Sequence, residues 1–354
     1  MTEEKTVRKF PKRKNEIVAT LSAEICSLPS NSRLPGTAEL CRRFHCASMT
    51  ITRALGELEL RGEIFRIPGK GTFVACRELR DVYVLIPAPG GRWLNDNSIY
   101  DRIIQEAERR GIEVHLVYAT TDNIPRHINY ASVERIPAGG AVIVTGHWYH
   151  HIFRFLAERN CNVVYFDAFW NLSIQVDSEF VMNWHRLVLP IRAAINEAVR
   201  LLAERNHRNI LFLHRCVHCS TMGIRAFREA LRREKIPIRP DWEMYGEDDY
   251  QTLYEDLTRR LHELPDCNAI LTRYSLQAEA AISVLDQLKR KVPRDCSVIS
   301  LEDHPRQLAC NPPVTVVSTM PSNAAVKALD MLAAGSAVSR QEMLDFETIM
   351  RGSI

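Results

Sequence analysis

From Asp81 onward the chain repeats one pattern: a short, continuous apolar run rich in β-branched residues, followed by a helical stretch. The first runs are DVYVLIPA, IEVHLVYA, GAVIVTG and NVVYFDA, separated by stretches such as SIYDRIIQEAERRG and HIFRFLAERN. A strand that is apolar at nearly every position must be covered on both faces, and alternating helices supply that cover. A second series starts at IRAAINEAVRLLAERNHRNILFLH and runs on through TMGIRAFREALRREKI, YQTLYEDLTRRLHEL, NAILTRY, LQAEAAISVLDQLKRK and CSVISLED. Two such series in one chain predict two parallel-sheet α/β lobes.

Residues 1–80 follow a different pattern. The formal net charge of +3 over 354 residues averages two unlike parts. Residues 1–80 hold fifteen Lys/Arg and nine Asp/Glu, a net of +6, and the rest of the chain nets −3. A basic small module on a mildly acidic body suggests a polyanion-binding head. Lys5, Arg8, Lys9, Lys12, Arg13 and Lys14 lie in the first fourteen residues. Such a run reads either as a solvated tail or as an arm that follows phosphates.

Within the head, Ile17, Leu21, Ile25 and Leu28 recur at helical spacing, and Pro29 stops that helix. Thr37 is placed to cap a short helix, TAELCRRF. A second short helix begins near Ser48, turns Ile51, Ala54, Leu55 and Leu58 to one side, and ends at Gly62. Two short helices joined by a tight turn predict a helix-turn-helix. IFRI and TFVA, separated by Pro68-Gly69-Lys70-Gly71, predict a hairpin with a basic, glycine-rich tip.

These residues resemble the winged helix of the GntR family of bacterial transcription regulators over residues 12–76. The resemblance rests on Leu34-Pro35, Arg53-Ala54-Leu55 and Gly69-Lys70-Gly71-Thr72-Phe73-Val74. It implies operator DNA as a partner. Where many relatives carry DNA-contacting arginines, this chain has Ala38, Ser48 and Thr52, so guanine-reading forks are missing there. Arg33, Arg42, Arg43, Arg53, Lys70 and Gly71 remain for phosphates or bases, with Thr37 at the start of the first short helix. Ser48, Met49, Thr50 and Thr52 stand at the end of the recognition helix that would enter the groove.

The body is similar to the effector-binding domain of the LacI family, which shares its fold with type I periplasmic binding proteins. The resemblance rests on Asn206-His207-Arg208-Asn209-Ile210, Ala226-Phe227-Arg228-Glu229-Ala230-Leu231, the run Val292 to Ser300, and Asn311 to Val317. It implies a winged head at 1–76, a linker at 77–81, and a two-lobed body at 82–354 divided near 176–190 and 303–320. The expected protein is a homodimeric, ligand-controlled regulator, a repressor more readily than an activator, with a sugar or sugar derivative as effector.

In open parallel sheets, ligands bind beyond the carboxyl ends of the strands. That rule nominates Trp93, His147, Trp148, Asp167 and Trp170 from the first lobe. From the second it nominates His214, Arg273, Tyr274, Glu302 and Asp303. Aromatic faces beside carboxylates suit a sugar. The resemblance also places Gly223 where many relatives have a sugar-binding Arg, and Arg273-Tyr274 where they have Asn-Asp. A plain hexose fits that set less well, and Arg273 suits an anion.

Rival readings come from His214, Cys216, His218 and Cys219, which could make a metal or thiol sensor, and from a body that only dimerises. One Cys-x-x-Cys without a second pair is weak, so no metal and no cofactor are expected. Neither Gly-x-Ser-x-Gly, nor a Walker loop, nor Gly-x-Gly-x-x-Gly stands in strand–loop–helix context, so an enzyme is not expected. No apolar run nears the roughly 18 residues of a membrane span. The charged N-terminus lacks the apolar core of a secretory leader. The expected setting is cytoplasmic, with the ten cysteines reduced.

Overall fold

A computed structural model describes residues 10–28, 32–60, 63–75, 79–89, 99–121, 130–145, 150–167, 178–214, 220–246, 249–335 and 339–354. The head consists of α1 (Phe10–Ser27), α2 (Thr37–Phe44), α3 (Ser48–Leu60) and a hairpin of β1 (Ile64–Ile67) and β2 (Gly71–Val74). Its core gathers Ile17, Leu21 and Ile25 of α1 with Leu40, Ile51, Leu55, Leu58, Ile64 and Val74. Two details differ from the expectation. Leu28 lies past the end of α1 and is exposed, lining a cavity of ≈ 370 Å³ that head residues share with Tyr83, Pro137 and Leu332 of the body. α1 also begins at Phe10, seven residues before the first apolar position of that spacing, which makes part of the basic run helical. In that part Lys14 pairs with Glu57 at 2.6 Å, and Arg13 pairs with Glu16 at 3.1 Å. Residues 1–9 lie outside the described residues.

The body starts with β3 (Asp81–Pro89), α4 (Ile99–Arg109), β4 (Glu113–Thr121), α5 (Tyr130–Val133), β5 (Ala141–Val144), α6 (His150–Glu158), β6 (Asn162–Asp167), α7 (Ser178–Val181) and β7 (His185–Val188). It continues with α8 (Ile191–Glu204), β8 (Ile210–His214), α9 (Ser220–Arg233), β9 (Glu243–Tyr245), α10 (Tyr250–Glu263), β10 (Ala269–Thr272), α11 (Ser275–Gln287), β11 (Ser297–Ser300) and β12 (Thr315–Ser318). Then come α12 (Ala324–Ala334), β13 (Gln341–Met343) and β14 (Glu347–Ile349). The first sheet has the order β13-β7-β6-β5-β3-β4 and is parallel throughout. The second has the order β14-β12-β11-β10-β8-β9, with only β14 antiparallel.

Every residue of β10, β11 and β12 is buried, as strands between two helix layers must be, and the polar Thr272, Ser297, Ser300, Thr315 and Ser318 at their ends are buried with the rest. α8 and α9 cover one face of the second sheet, and α10 and α11 the other. In the first lobe α4 and α12 share one core, and α6 packs into the other.

The chain passes between the lobes three times: at 189–190, again between β12 and α12, and last at 344–346 between β13 and β14. α12 therefore closes the first lobe although it follows the whole second series. The third passage was not foreseen, because β13 and β14 are three-residue edge strands with no apolar run.

Candidate functional site

The head presents its polar residues on α3 and the hairpin. Burial of Ile51, Ala54, Leu55 and Leu58 turns the other side of α3 outward, with Ser48, Thr52 and Arg53 exposed and Met49 exposed to 64%. Thr50 is half-buried. His45 takes a left-handed turn (φ 47°) between α2 and α3, and Cys46 N–H donates to Cys41 O at 3.2 Å. At the hairpin tip Lys70 is exposed. Gly71 adopts φ +123°, and a β-carbon there would lie 3.0 Å from Arg33 Nε. Glycine is thus needed at 71 for its backbone angle and for contact with Arg33. Arg33 itself bridges to Phe73, so the structure brings Arg33 and the hairpin together.

Two head residues sit otherwise than expected. Gly36, not Thr37, caps α2, its carbonyl accepting from Glu39 and Leu40 N–H, so Thr37 is the first helical residue. Arg43 is held by Glu24, with Nη1 donating to Oε2 at 2.8 Å, and its guanidinium lies 5.2 Å from the Phe44 ring centroid. It is engaged within the head rather than waiting for a phosphate.

In the body, strand order locates the crevice. β3 has β4 on one side and β5 on the other; β8 likewise stands between β9 and β10. Successive connections leave such a strand in opposite directions, which opens a crevice at its carboxyl end. In the second lobe that crevice lies beyond His214 and Thr272, where Arg273 N–H donates to Leu213 O at 3.0 Å. In the first lobe it lies beyond β3 and Thr145.

The lobes touch near these strand ends. Tyr100, at the start of α4, has its hydroxyl 2.5 Å from Thr145 Oγ1, and its deprotonation is pushed up to about 12, first by burial and in part by the nearby Glu302 carboxylate of the other lobe. Arg102 Nη2 donates to Asp303 Oδ2 at 3.1 Å, and Arg102 Nη1 donates to Met320 O at 3.1 Å.

The nominated residues divide as follows. Trp93, His147, Trp148 and Trp170 lie outside the described residues, as do Cys216, His218 and Cys219. Asp167 ends β6, in register with Val188. His214 ends β8, its ring edge-on to Tyr245; burial lowers its pKa, and its Nδ1 is buried with no partner among the described residues. Arg273 Nη1 donates to Thr319 Oγ1 at 3.3 Å, and its guanidinium lies 5.2 Å from the Tyr274 ring centroid.

Both carboxylates are bound to protein. Glu302 Oε2 accepts from Ser275 N–H at 2.9 Å and Ser275 Oγ at 3.1 Å. Asp303 accepts from Arg102 and, at 2.7 Å, from Arg351 Nη2.

Residues that sequence reasoning missed hold this arrangement: Tyr100, Arg102, Thr319, Arg351 and Gln277. Gln277 Oε1 accepts from the backbone N–H of Arg273 at 3.0 Å and of Tyr274 at 3.2 Å. A Gln three residues into a helix is a known capping signal and could have been found. The others sit on helix surfaces or distant segments and carry no local signal. Among the described residues, Asp81, Glu113 and His115 alone bring three potential metal ligands together. They lie at the open start of β3 and β4, away from the crevice, and His115 Nε2 is already 2.8 Å from Asp81 Oδ1. No helix among the described residues is long and apolar enough to cross a membrane.

A basic winged helix joined to two facing parallel-sheet lobes defines the class of DNA-binding transcriptional regulators with a two-lobed sensor. Residues 13–74 match the family model of bacterial regulatory proteins, gntR family, and residues 199–354 match a periplasmic binding protein-like domain. The chain thus carries a gntR-family head on a periplasmic binding protein-like body. It is 22% identical over 347 residues to the arabinose metabolism transcriptional repressor of Geobacillus stearothermophilus, covering 93% of this chain and 91% of that one. Its fold matches the transcriptional regulator CelR in complex with cellobiose (TM-score 0.61, 20% identity, 86% of this chain and 90% of that chain). It also matches the lac repressor dimer bound to operator and an anti-inducer (TM-score 0.59, 17% identity, 81% and 95%).

Proposed function

We propose that this chain is a repressor whose operator affinity is set by a small polar ligand in the interlobe crevice. Two bodies pair, and two heads read the halves of an inverted repeat. Arg33, Arg53, Lys70 and the Gly71 backbone contact the DNA backbone or bases, with Ser48, Met49, Thr50 and Thr52 toward the groove. Thr37 and Arg43 play lesser parts, because one starts a helix and the other is tied to Glu24. The observation that carries the reading is the contact between the two lobes across Arg102–Asp303, near the carboxyl ends of their strands. A ligand there touches both lobes, so it binds their relative positions with different affinity, which is the requirement for control. The ligand-binding set is His214, Arg273 and Tyr274, with Trp93, His147, Trp148, Asp167 and Trp170 from the first lobe, while Glu302 and Asp303 frame the floor. In this reading the body senses and does not turn over its ligand, and the protein works in the cytoplasm.

The test is fluorescence anisotropy of a labelled operator, found by selection from random duplexes, titrated with and without sugars and sugar derivatives. A ligand that changes operator affinity at least tenfold supports the reading. An operator affinity indifferent to every ligand, alongside an intact dimer, returns the body to a purely dimerising role.

A further inference from the structure

We propose that the effector is a polyhydroxylated monocarboxylic acid, a sugar acid, held through its carboxylate by Arg273. The proposal rests on the crevice being the effector site and adds the charge of its occupant. Arg273 directly follows β10, beside β8, at the strand pair where the second sheet reverses its order. Among the described residues its guanidinium meets one hydroxyl, Thr319 Oγ1, and one aromatic face, Tyr274, and no carboxylate. A guanidinium has five N–H donors in a planar fork that matches a carboxylate. Half-buried and using one of them among the described residues, Arg273 has further donors to offer an acceptor.

Among the described residues the two acids beside Arg273 are engaged: Glu302 by the first turn of α11, and Asp303 by Arg102 and Arg351. The same pairing fixes the charge of the occupant. Among the described residues, Arg102, Arg351 and Arg273 stand against Asp303 and Glu302, a surplus of one positive charge, which matches one carboxylate better than a phosphate monoester of nearly two negative charges. The position is also rigid. Gln277, 2% exposed, binds the N–H of both Arg273 and Tyr274, and Arg273 N–H reaches Leu213 O as well. Next to it, at the end of β8, His214 has a buried ring nitrogen, Nδ1, with no partner among the described residues. It offers a neutral hydrogen-bonding group for a hydroxyl.

The experiment is calorimetric titration of the full-length protein with pentonates, hexonates and hexuronates, their neutral parent sugars, and the matching sugar phosphates. Arg273→Gln and Arg273→Lys are titrated in parallel and checked by circular dichroism for folding. The expected result is binding of at least one acid over its neutral parent. Arg273→Gln should weaken that binding roughly 10- to 100-fold and remove the preference, and Arg273→Lys should keep the preference at lower affinity. A neutral sugar binding as tightly as its acid, unaffected by Arg273→Gln, overturns the proposal and leaves the crevice as effector site. A phosphate ester binding more tightly than any carboxylate also overturns it. No binding by acid, parent or ester overturns both the proposal and the crevice reading. If Arg273→Gln does not fold, the Arg273→Lys titration decides by whether the acid preference survives.

Discussion

Arg102 of the first lobe and Asp303 of the second are joined at 3.1 Å, and Arg351 binds the other carboxylate oxygen of Asp303 at 2.7 Å. With Arg102 at 23% and Asp303 at 17% side-chain exposure, water screens this network only partly. Asp303→Asn leaves two guanidinium groups without their anion. We expect a loss of about 1–3 kcal/mol in unfolding free energy by urea titration, more than for a surface pair. An unchanged midpoint would remove the network from any role in holding the lobes.

The head is small and leans on few side chains. Leu58 of α3 is fully buried among Ile17, Leu55 and Ile64. Leu58→Ala is expected to cost about 2–4 kcal/mol. Operator binding should be lost while the body still unfolds in its own transition, seen by calorimetry as an early shift of the head alone.

Operator binding should depend on salt through the exposed cations. Removing Arg53 and Lys70 together by alanine substitution should weaken binding and flatten the slope of log K against log salt by roughly 2. Arg43→Ala, whose guanidinium is held by Glu24, should leave that slope almost unchanged. Equal slopes for the double variant and the parent would mean that these residues face no phosphate.

Three histidines set a pH dependence. Burial lowers the pKa of His185, His207 and His214 below the usual value. The unfolded chain takes up their protons near 6.5, before the folded chain does, so stability holds above that pH and is lost as pH falls through the lower folded values. Asp295, held at about 2 by Arg294, matters only below about 4. The urea midpoint should therefore be flat from pH 8 to 7 and drop between 6.5 and 5. A flat midpoint over that lower range would show that the histidines charge without penalty.

Much of this architecture was legible, for a definite reason. β8 and β10 are covered on both faces and are apolar at nearly every position, which marks them without knowledge of their partners. β7, β9, β13 and β14 have three or four residues, and α12 belongs to a lobe begun far earlier in the chain. The site was legible in the same uneven way. His214, Arg273 and Tyr274 follow from the strand-end rule, because they are neighbours of recognisable strands. Arg102 and Arg351 do not, because they reach Asp303 from 201 and 48 residues away and resemble any surface arginine.

The three passages between the lobes bear on how such a chain can be assembled from older parts. The chain passes from head to body once, at the linker 77–81, so a different DNA-reading module could be substituted by a single exchange of coding sequence. Neither lobe can be exchanged that way. The first takes α12 and β13 from beyond the second, and the second takes β14 from beyond both. The sensor is inherited whole and the address it reads is replaceable, so close relatives of this body should turn up under unrelated heads more readily than half-bodies of mixed ancestry.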